Sequence, residues 1–191
     1  FADRYFGYDD AIYAALRLCD VPADDPALTR ARGYIHDNGG PLAAAMWGKF
    51  FLCLLNLYDY RGINPTPPEL WILPERLPVH PSHMWCHSRM VSLPMAYLYG
   101  QRVQMPVDQR VRAIRSELYR EPYHSIDWES ARDLVAKSDD YVPVSPLMRA
   151  ANRALLAYEA LPVKPLRPRA LAATLEQIYL EDNNTQYVCI G

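Results

Sequence analysis

Leu42-Ala43-Ala44-Ala45-Met46-Trp47-Gly48-Lys49-Phe50-Phe51-Leu52-Cys53-Leu54-Leu55-Asn56-Leu57 is the most apolar stretch of the sequence, and its reading decides the fold class. The longest strongly apolar run, Phe50 to Tyr58, overlaps its end and is broken only by Asn56. Nothing in it alternates with the period of two that a half-buried strand requires. It is also shorter than the roughly 18 apolar residues needed to cross a bilayer. It therefore reads as a buried helix. A chain without such a span can still sit in one leaflet.

Outward from this stretch the pattern stays helical. Asp9 to Leu18 places Ile12, Ala15, Leu16 and Cys19 on one apolar face at helical spacing. Val21 to Pro26 is a turn, with Asp25 as cap and Pro26 in the first turn of a second helix, which stops at Asn38-Gly39-Gly40. Pro68-Glu69-Leu70-Trp71 belongs to a short helix, and Leu73 to Pro81 is a proline-ruled loop. Helices are predicted over 82–100, with a kink at Pro94, and over 107–119, 143–159 and 168–179. Asp127 is placed to cap a short helix, and Glu181 to Thr185 reads as a turn before Gln186 to Ile190. Short helices joined by proline- and glycine-bearing turns predict an all-α architecture of layered helical hairpins.

Composition narrows the function. With 191 residues, half of them hydrophobic, the chain is one domain's worth or a piece of something larger. A net charge of −2, with both signs interspersed, gives no basic field for nucleic acid. Seventeen prolines against 8 glycines indicate stiff connections. Fourteen tyrosines and 4 tryptophans suit a pocket, a membrane interface or a large core. Cys19, Cys53, Cys86 and Cys189 form no CxxC pair and read as reduced thiols in a cytosol-facing protein. No signal peptide is visible, and both ends, at Phe1 and Gly191, look cut. No internal boundary stands out, so 1–191 reads as a single segment, with 127–140 as a surface loop.

The densest chemical cluster is His80-Pro81-Ser82-His83-Met84-Trp85-Cys86-His87-Ser88-Arg89. His83 and His87, at i and i+4, would share a helix face as zinc ligands do. No Glu follows His83 and no second ligand pair lies nearby, so packed or hydrogen-bonded histidines are the default and no metal is assigned. Trp47, Trp71 and Trp85 read as core or as walls of an aromatic cavity that holds positive charge against ring faces. The pairs Asp9-Asp10, Asp24-Asp25 and Asp139-Asp140 read as solvated caps and turns, because adjacent helical residues point apart. The residues alone stop at a soluble or interfacial all-helical domain.

A resemblance goes further. Trp47-Gly48-Lys49-Phe50-Phe51-Leu52 resembles the W-G-K-F-W-L stretch of oxidosqualene cyclases. Pro68-Glu69-Leu70-Trp71-Ile72-Leu73-Pro74 is similar to their P-E-x-W-x-x-P, and His80-Pro81 with Trp85-Cys86-His87-Ser88-Arg89 to H-P-x-x-x-W-C-H-C-R. Leu93-Pro94-Met95-Ala96-Tyr97-Leu98-Tyr99, Glu117-Leu118-Tyr119, Ser125-Ile126-Asp127-Trp128 and Glu181-Asp182…Thr185…Ile190-Gly191 follow in the family's order and spacing. Residues 1–45 match more loosely.

The resemblance implies an α/α toroid, part of a barrel of helical hairpins, from an enzyme that turns 2,3-oxidosqualene into a sterol-type triterpene without a cofactor. In that family an aspartic acid in a D-C-T-A-E-like motif protonates the epoxide. This chain carries neither that motif nor D-x-D-D, so the segment alone is expected to be inactive. Trp47 and Trp85 match tryptophans of a dry cavity around the cation. His87 matches a histidine beside the late cation, a stabiliser or final base. Ser88 and Ser92 stand where animal members have cysteine and tyrosine, at the constriction leading from the membrane. Either substrate access or product differs there, or a neighbouring side chain compensates. The family is monotopic, which implies a membrane-surface partner and, in a eukaryote, an endoplasmic reticulum or lipid droplet location facing the cytosol. Two other readings remain: a non-catalytic toroid that binds a lipid or protein, and a protein-prenyltransferase-like toroid. The latter lacks a matching context for its zinc ligands.

Overall fold

The computed structural model describes residues 9–77, 80–137, 139–140, 144–163 and 165–187. Phe1 to Tyr8, Pro143 and the Cys189-Ile190-Gly191 end of the last matching block lie outside the described residues. Among the described residues every regular element is helical: α1 (Asp9–Leu18), α2 (Pro26–Asp37), α3 (Met46–Leu54), α4 (Cys86–Gln101), α5 (Gln109–Leu118), α6 (Pro146–Ala160) and α7 (Leu166–Thr185). Short 3-10 turns form at Pro41–Ala43, Tyr60–Gly62, Pro68–Ile72, Pro81–His83 and Tyr123–Ser125. The helices distribute into two compact units, Phe1–Asn64 with Gln104–Val144 and Pro65–Val103 with Ser145–Gly191.

In the first unit α1 packs on α2, α3 and α5. The expected apolar face of α1 is not the buried one. Ile12, Ala15, Leu16 and Cys19 are exposed, whereas Asp10, Tyr13 and Ala14 are buried. The face is chosen by a polar anchor: the Tyr13 hydroxyl and the Arg17 guanidinium both donate to Glu117 on α5. Helix α2 begins as expected. The Asp25 carboxylate accepts from the Ala27 and Leu28 amides at 2.7 and 3.3 Å, with Pro26 in the first turn. It ends where Gly39 and Gly40 take positive φ and the Gly40 amide returns to the Ile35 carbonyl at 2.8 Å.

Helix α3 is shorter than the apolar run predicted. Its start is cut by the 3-10 turn and the extended backbone of Ala44 and Ala45. Its end is cut by Asn56, which adopts a left-handed conformation. Arg115 fixes that turn, donating to the Asn56 carbonyl at 2.9 and 2.6 Å and to its Oδ1 at 2.7 Å. The apolar run still supplies the core, with Phe50, Leu52, Cys53, Leu57 and Tyr58 buried. The segment read as a surface loop, 127–140, is irregular but not wholly superficial. Trp128 and Ala131 are buried. Tyr58, Tyr119 and Tyr123 pack around the Trp128 ring at centroid distances of 4.7, 5.7 and 4.9 Å. Asp127 caps a turn here, accepting from the Ser130 amide at 3.3 Å, and no helix follows it.

In the second unit α7 packs on α4 and on the Pro68–Ile72 turn. Gly100 permits the close approach. A Cβ there would lie 2.8 Å from Pro68 Cγ and 2.9 Å from Leu171 Cδ2. Polar groups pin the same assembly. Arg167 bonds Glu69 at 2.6 Å and also Glu159, which receives Arg102 at 2.9 Å. Helix α4 starts at Cys86, not Ser82, because His80 caps a separate 3-10 turn and Met84 and Trp85 are extended. Pro94 is accommodated inside α4. The predicted turn at Glu181 to Thr185 is instead the last turn of α7, closed by left-handed Gln186. Thr185 returns its hydroxyl to the Glu181 carbonyl at 2.9 Å, and turn-prone Asn183 and Asn184 stay helical.

Candidate functional site

The second unit gathers four of the five residues singled out from the sequence around the first turns of α4. Trp85 precedes the helix, His87 and Ser88 occupy its first turn, and Ser92 follows one turn on. Trp85 is 70% exposed, and its indole meets the His87 imidazole edge-on, with centroids 4.3 Å apart and planes at 75°. His87 is half-buried. Its Nδ1 is shielded from solvent and has no hydrogen-bond partner among the described residues. A shielded ring nitrogen without a partner is an exception to the rule that buried polar atoms are hydrogen-bonded.

Ser88 is exposed and its carbonyl accepts the Ser92 hydroxyl, one helical turn on. The same hydroxyl lies 3.6 Å from Met84 Sδ. Ser92 is thus satisfied within its own helix, and the thioether of Met84 fills space beside it. Sequence reasoning missed Met84. The signal was its place four residues before Ser88, where extended backbone brings it back over the helix start.

Trp47 lies in the first unit, half-buried near the start of α3. The neighbouring Lys49, noted only as part of a matching block, is fully buried. Its ammonium donates to the Ala131 and Leu134 carbonyls at 2.7 Å each, with Arg132 at 3.4 Å. Burial pulls its pKa down to about 8, against the attraction of Asp133.

The histidine cluster is not arranged for a metal. His83 belongs to the 3-10 turn and His87 to α4, so the two do not share a helix face. His80 Nδ1 takes the Ser82 amide at 3.1 Å and the Ser82 hydroxyl at 2.7 Å, and His83 Nε2 bonds the Glu75 carbonyl at 2.8 Å.

Beside these turns the second unit holds a cavity of about 670 Å³. Trp71, His80 and Ser82 form one wall, and Arg89, Glu176 and Glu181 are among the others. Arg89 and Glu181 pair at 3.5 Å. Trp85, His87, Ser88 and Ser92 do not line it. Its several charged walls suit a polar occupant rather than a bare carbocation, which needs dry, π-rich surroundings.

The chain as a whole is similar to known proteins. The profile of the squalene-hopene cyclase N-terminal domain matches residues 11–188. Cycloartenol synthase of Dictyostelium discoideum is 42% identical over 94% of the chain, which covers 26% of that protein. Lanosterol synthase of Homo sapiens is 42% identical over 94% of the chain and 24% of its own length. Protostadienol synthase A of Neosartorya fischeri is 40% identical over the same 94%, again 24% of its length. The chain thus spans about a quarter of these relatives. The match runs through α1 to α7, and the helices accord with the α/α toroid that the resemblance implied. The chain belongs to the squalene-hopene cyclase N-terminal domain family.

Proposed function

We propose that this chain is the part of an oxidosqualene cyclase that contributes cavity-wall aromatics and an imidazole to the conversion of 2,3-oxidosqualene into a sterol-type triterpene. The observation that carries the reading is the Trp85–His87 pair with its shielded, unpartnered Nδ1, set in a chain 42% identical to cycloartenol and lanosterol synthases. The reaction is an intramolecular isomerisation through cations. Ring faces offset positive charge by about 0.5–2 kcal/mol each where water is excluded. A neutral imidazole nitrogen accepts the terminal proton, or holds a hydroxyl that does. Trp85 serves the first role and His87 the second; Trp47, in the first unit, is carried over as a substrate-binding residue by the resemblance alone. Ser88 and Ser92 flank the route by which substrate arrives. Protonation of the epoxide falls to a residue outside this segment, so the segment by itself does not cyclise.

No described helix is long and apolar enough to cross a membrane. A water-insoluble C30 epoxide is taken up from a bilayer, so the whole enzyme docks on one face of a membrane. In a eukaryotic cell that is the endoplasmic reticulum or a lipid droplet, on the cytosolic side.

The test is turnover of 2,3-oxidosqualene by the full-length protein and by its Trp85→Ala and His87→Ala variants, with products identified by mass spectrometry. The expected result is cyclised triterpene from the parent. Trp85→Ala should lose at least tenfold in rate or release early-quenched products, and His87→Ala should change where the last proton leaves. A full-length protein that binds but never cyclises the epoxide would instead make this a non-catalytic lipid-binding toroid.

A further inference from the structure

We infer that the arginine-lined cleft at the end of α5, in the first unit, is a binding site for a phosphate monoester, a small ring-bearing molecule that carries a phosphate dianion. The cleft has a volume of about 380 Å³, and Arg112, Arg115 and Arg120 line it together with Tyr119, Pro122 and Tyr123. Clefts of roughly 300–1,000 Å³ take small organic molecules rather than single ions. Glu121 is the only acidic side chain among the described residues on its wall, so three permanent positive charges face one negative charge.

The sequence order explains the gathering. Arg112 and Arg115 stand three residues apart on α5 and so share a face. The chain leaves the helix at Tyr119 in extended backbone, and Arg120 follows on the same rim. Arg115 is set in place from two sides. Its Nε and Nη2 donate to Asn56, and its guanidinium carbon lies 3.6 Å over the Tyr123 ring. Its Nη1 makes no hydrogen bond among the described residues, and neither does the Arg112 side chain. Arg120 reaches only Asp37, at 4.0 Å, with both side chains largely exposed.

Positive groups gathered on one wall focus their field into the cleft. Guanidinium forks match phosphate oxygens in pairs, and a dianion answers the excess charge better than a carboxylate does. The remaining wall is apolar. The Tyr119 hydroxyl is spent on the Leu57 carbonyl at 2.7 Å, so this residue offers only its ring. The Tyr119 and Tyr123 rings meet edge-on with centroids 5.7 Å apart, and Pro122 lies beside them. The Ser116 hydroxyl is spent on the Ala113 carbonyl at 2.7 Å and adds no donor. The wall thus offers arginines for a phosphate and rings for the group that carries it.

The test is isothermal titration calorimetry of the full-length protein with phenyl phosphate at pH 7.5, with inorganic phosphate and phenol as the two halves of the ligand. The expected result is one saturable site for phenyl phosphate, tighter than inorganic phosphate, and no saturation by phenol. Affinity should fall as pH drops toward 5, because the phosphate takes up a proton at about pH 6 while the arginines keep their charge. Arg112→Gln and Arg120→Gln, at exposed positions, should each weaken binding about tenfold, while exposed Arg30→Gln leaves it unchanged. Circular dichroism checks that each variant keeps its helices, and Arg115 stays intact because it fixes the Asn56 turn. No saturable binding of phenyl phosphate, or equal affinity in Arg112→Gln and the parent, overturns the assignment. So does arginine-dependent binding to phosphatidylcholine vesicles holding phosphatidic acid with no binding of phenyl phosphate, which would make the cleft a membrane-surface patch instead.

Discussion

Arg17 and Glu117, 100 residues apart, meet as a bidentate pair, with Nε 2.8 Å from Oε2 and Nη2 2.9 Å from Oε1. Tyr13 adds its hydroxyl to Oε2 at 2.7 Å. One carboxylate thereby fixes α1 on α5. Burial alone would raise the Glu117 carboxyl, but the bonds from Arg17 and Tyr13 outweigh it and hold the group below its ordinary value. A depressed acid contributes stability that is present above its unfolded pKa, about 4.5, and is lost as pH falls through the folded value. Glu117→Gln should therefore cost about 1–3 kcal/mol at pH 7. The gap to the parent should narrow in urea titrations at pH 3.5. A gap of constant size would refute this account of the anchor.

The anchor also shows where sequence reading reached its limit. Caps and stops were legible because they are local: Asp25 before Pro26, and Gly39-Gly40 after α2, act on their own neighbours. The buried face of α1 was not legible, since its selection depends on Glu117, which nothing in residues 9–18 reveals. The α7 terminus failed for the opposite reason. Asn183 and Asn184 favour a turn locally, yet the helix continues to Thr185. Around the site, resemblance identified Trp85, His87, Ser88 and Ser92. Ser88 and Ser92 meet by helical spacing, whereas the Trp85–His87 contact depends on Trp85 preceding the helix in extended backbone. The role of Met84 depended on extended backbone at residues 84 and 85, which the predicted helix over 82–100 hid.

Lys49 makes a second prediction. Its ammonium serves two carbonyls at 2.7 Å and a third at 3.4 Å, holding an irregular segment against α3. Lys49→Met keeps the apolar stem and removes every donor, stranding buried carbonyls at a cost of about 2–5 kcal/mol. The pH sign is distinctive. The folded lysine titrates near 8 and the unfolded one at 10.5, so the unfolded chain binds more protons between those values. The parent should gain stability relative to Lys49→Met as pH rises from 8 to 10.5. Denaturant midpoints of the two proteins across that window check it.

The tyrosines around Trp128 set the alkaline limit. Tyr119 is buried and donates to the Leu57 carbonyl at 2.7 Å, and burial raises its pKa well above the ordinary value. Tyr123 beside it is pushed up to about 12, burial again outweighing the nearby Arg115. Raised acids hold stability below pH 10 and lose it as pH climbs toward the folded values. Tyrosinate absorbance at 295 nm and the loss of helical circular dichroism should therefore rise together above pH 10. Tyr119→Phe should cost about 1–3 kcal/mol at pH 7 yet unfold less steeply with base. Independent ionisation of the tyrosines without unfolding would contradict the burial argument.

Two glycines give opposite expectations for the same substitution. Gly100 lies where an added Cβ would be 2.8 Å from Pro68 Cγ, a ring that cannot rotate away. Gly100→Ala should destabilise by about 1–3 kcal/mol through overpacking. Gly33 sits within α2 with nothing within 4 Å of an added Cβ, so Gly33→Ala should stabilise by about 0.5–1 kcal/mol. Thermal melts of the two variants decide both signs at once.

Ser92→Tyr tests the proposed access route in the full-length protein. The parent hydroxyl is bonded to the Ser88 carbonyl and lies beside Met84 Sδ. Tyrosine cannot make that short return bond, and its ring needs the space that Met84 occupies. If Met84 is the side chain that narrows the passage here, the added ring closes it further. On that reading the rate should fall about tenfold at low substrate while the product stays the same, because only entry is narrowed. Met84→Ala combined with Ser92→Tyr should recover most of the loss by making room for the ring. A Ser92→Tyr enzyme with the parent's rate and product would show that neither serine nor methionine governs access.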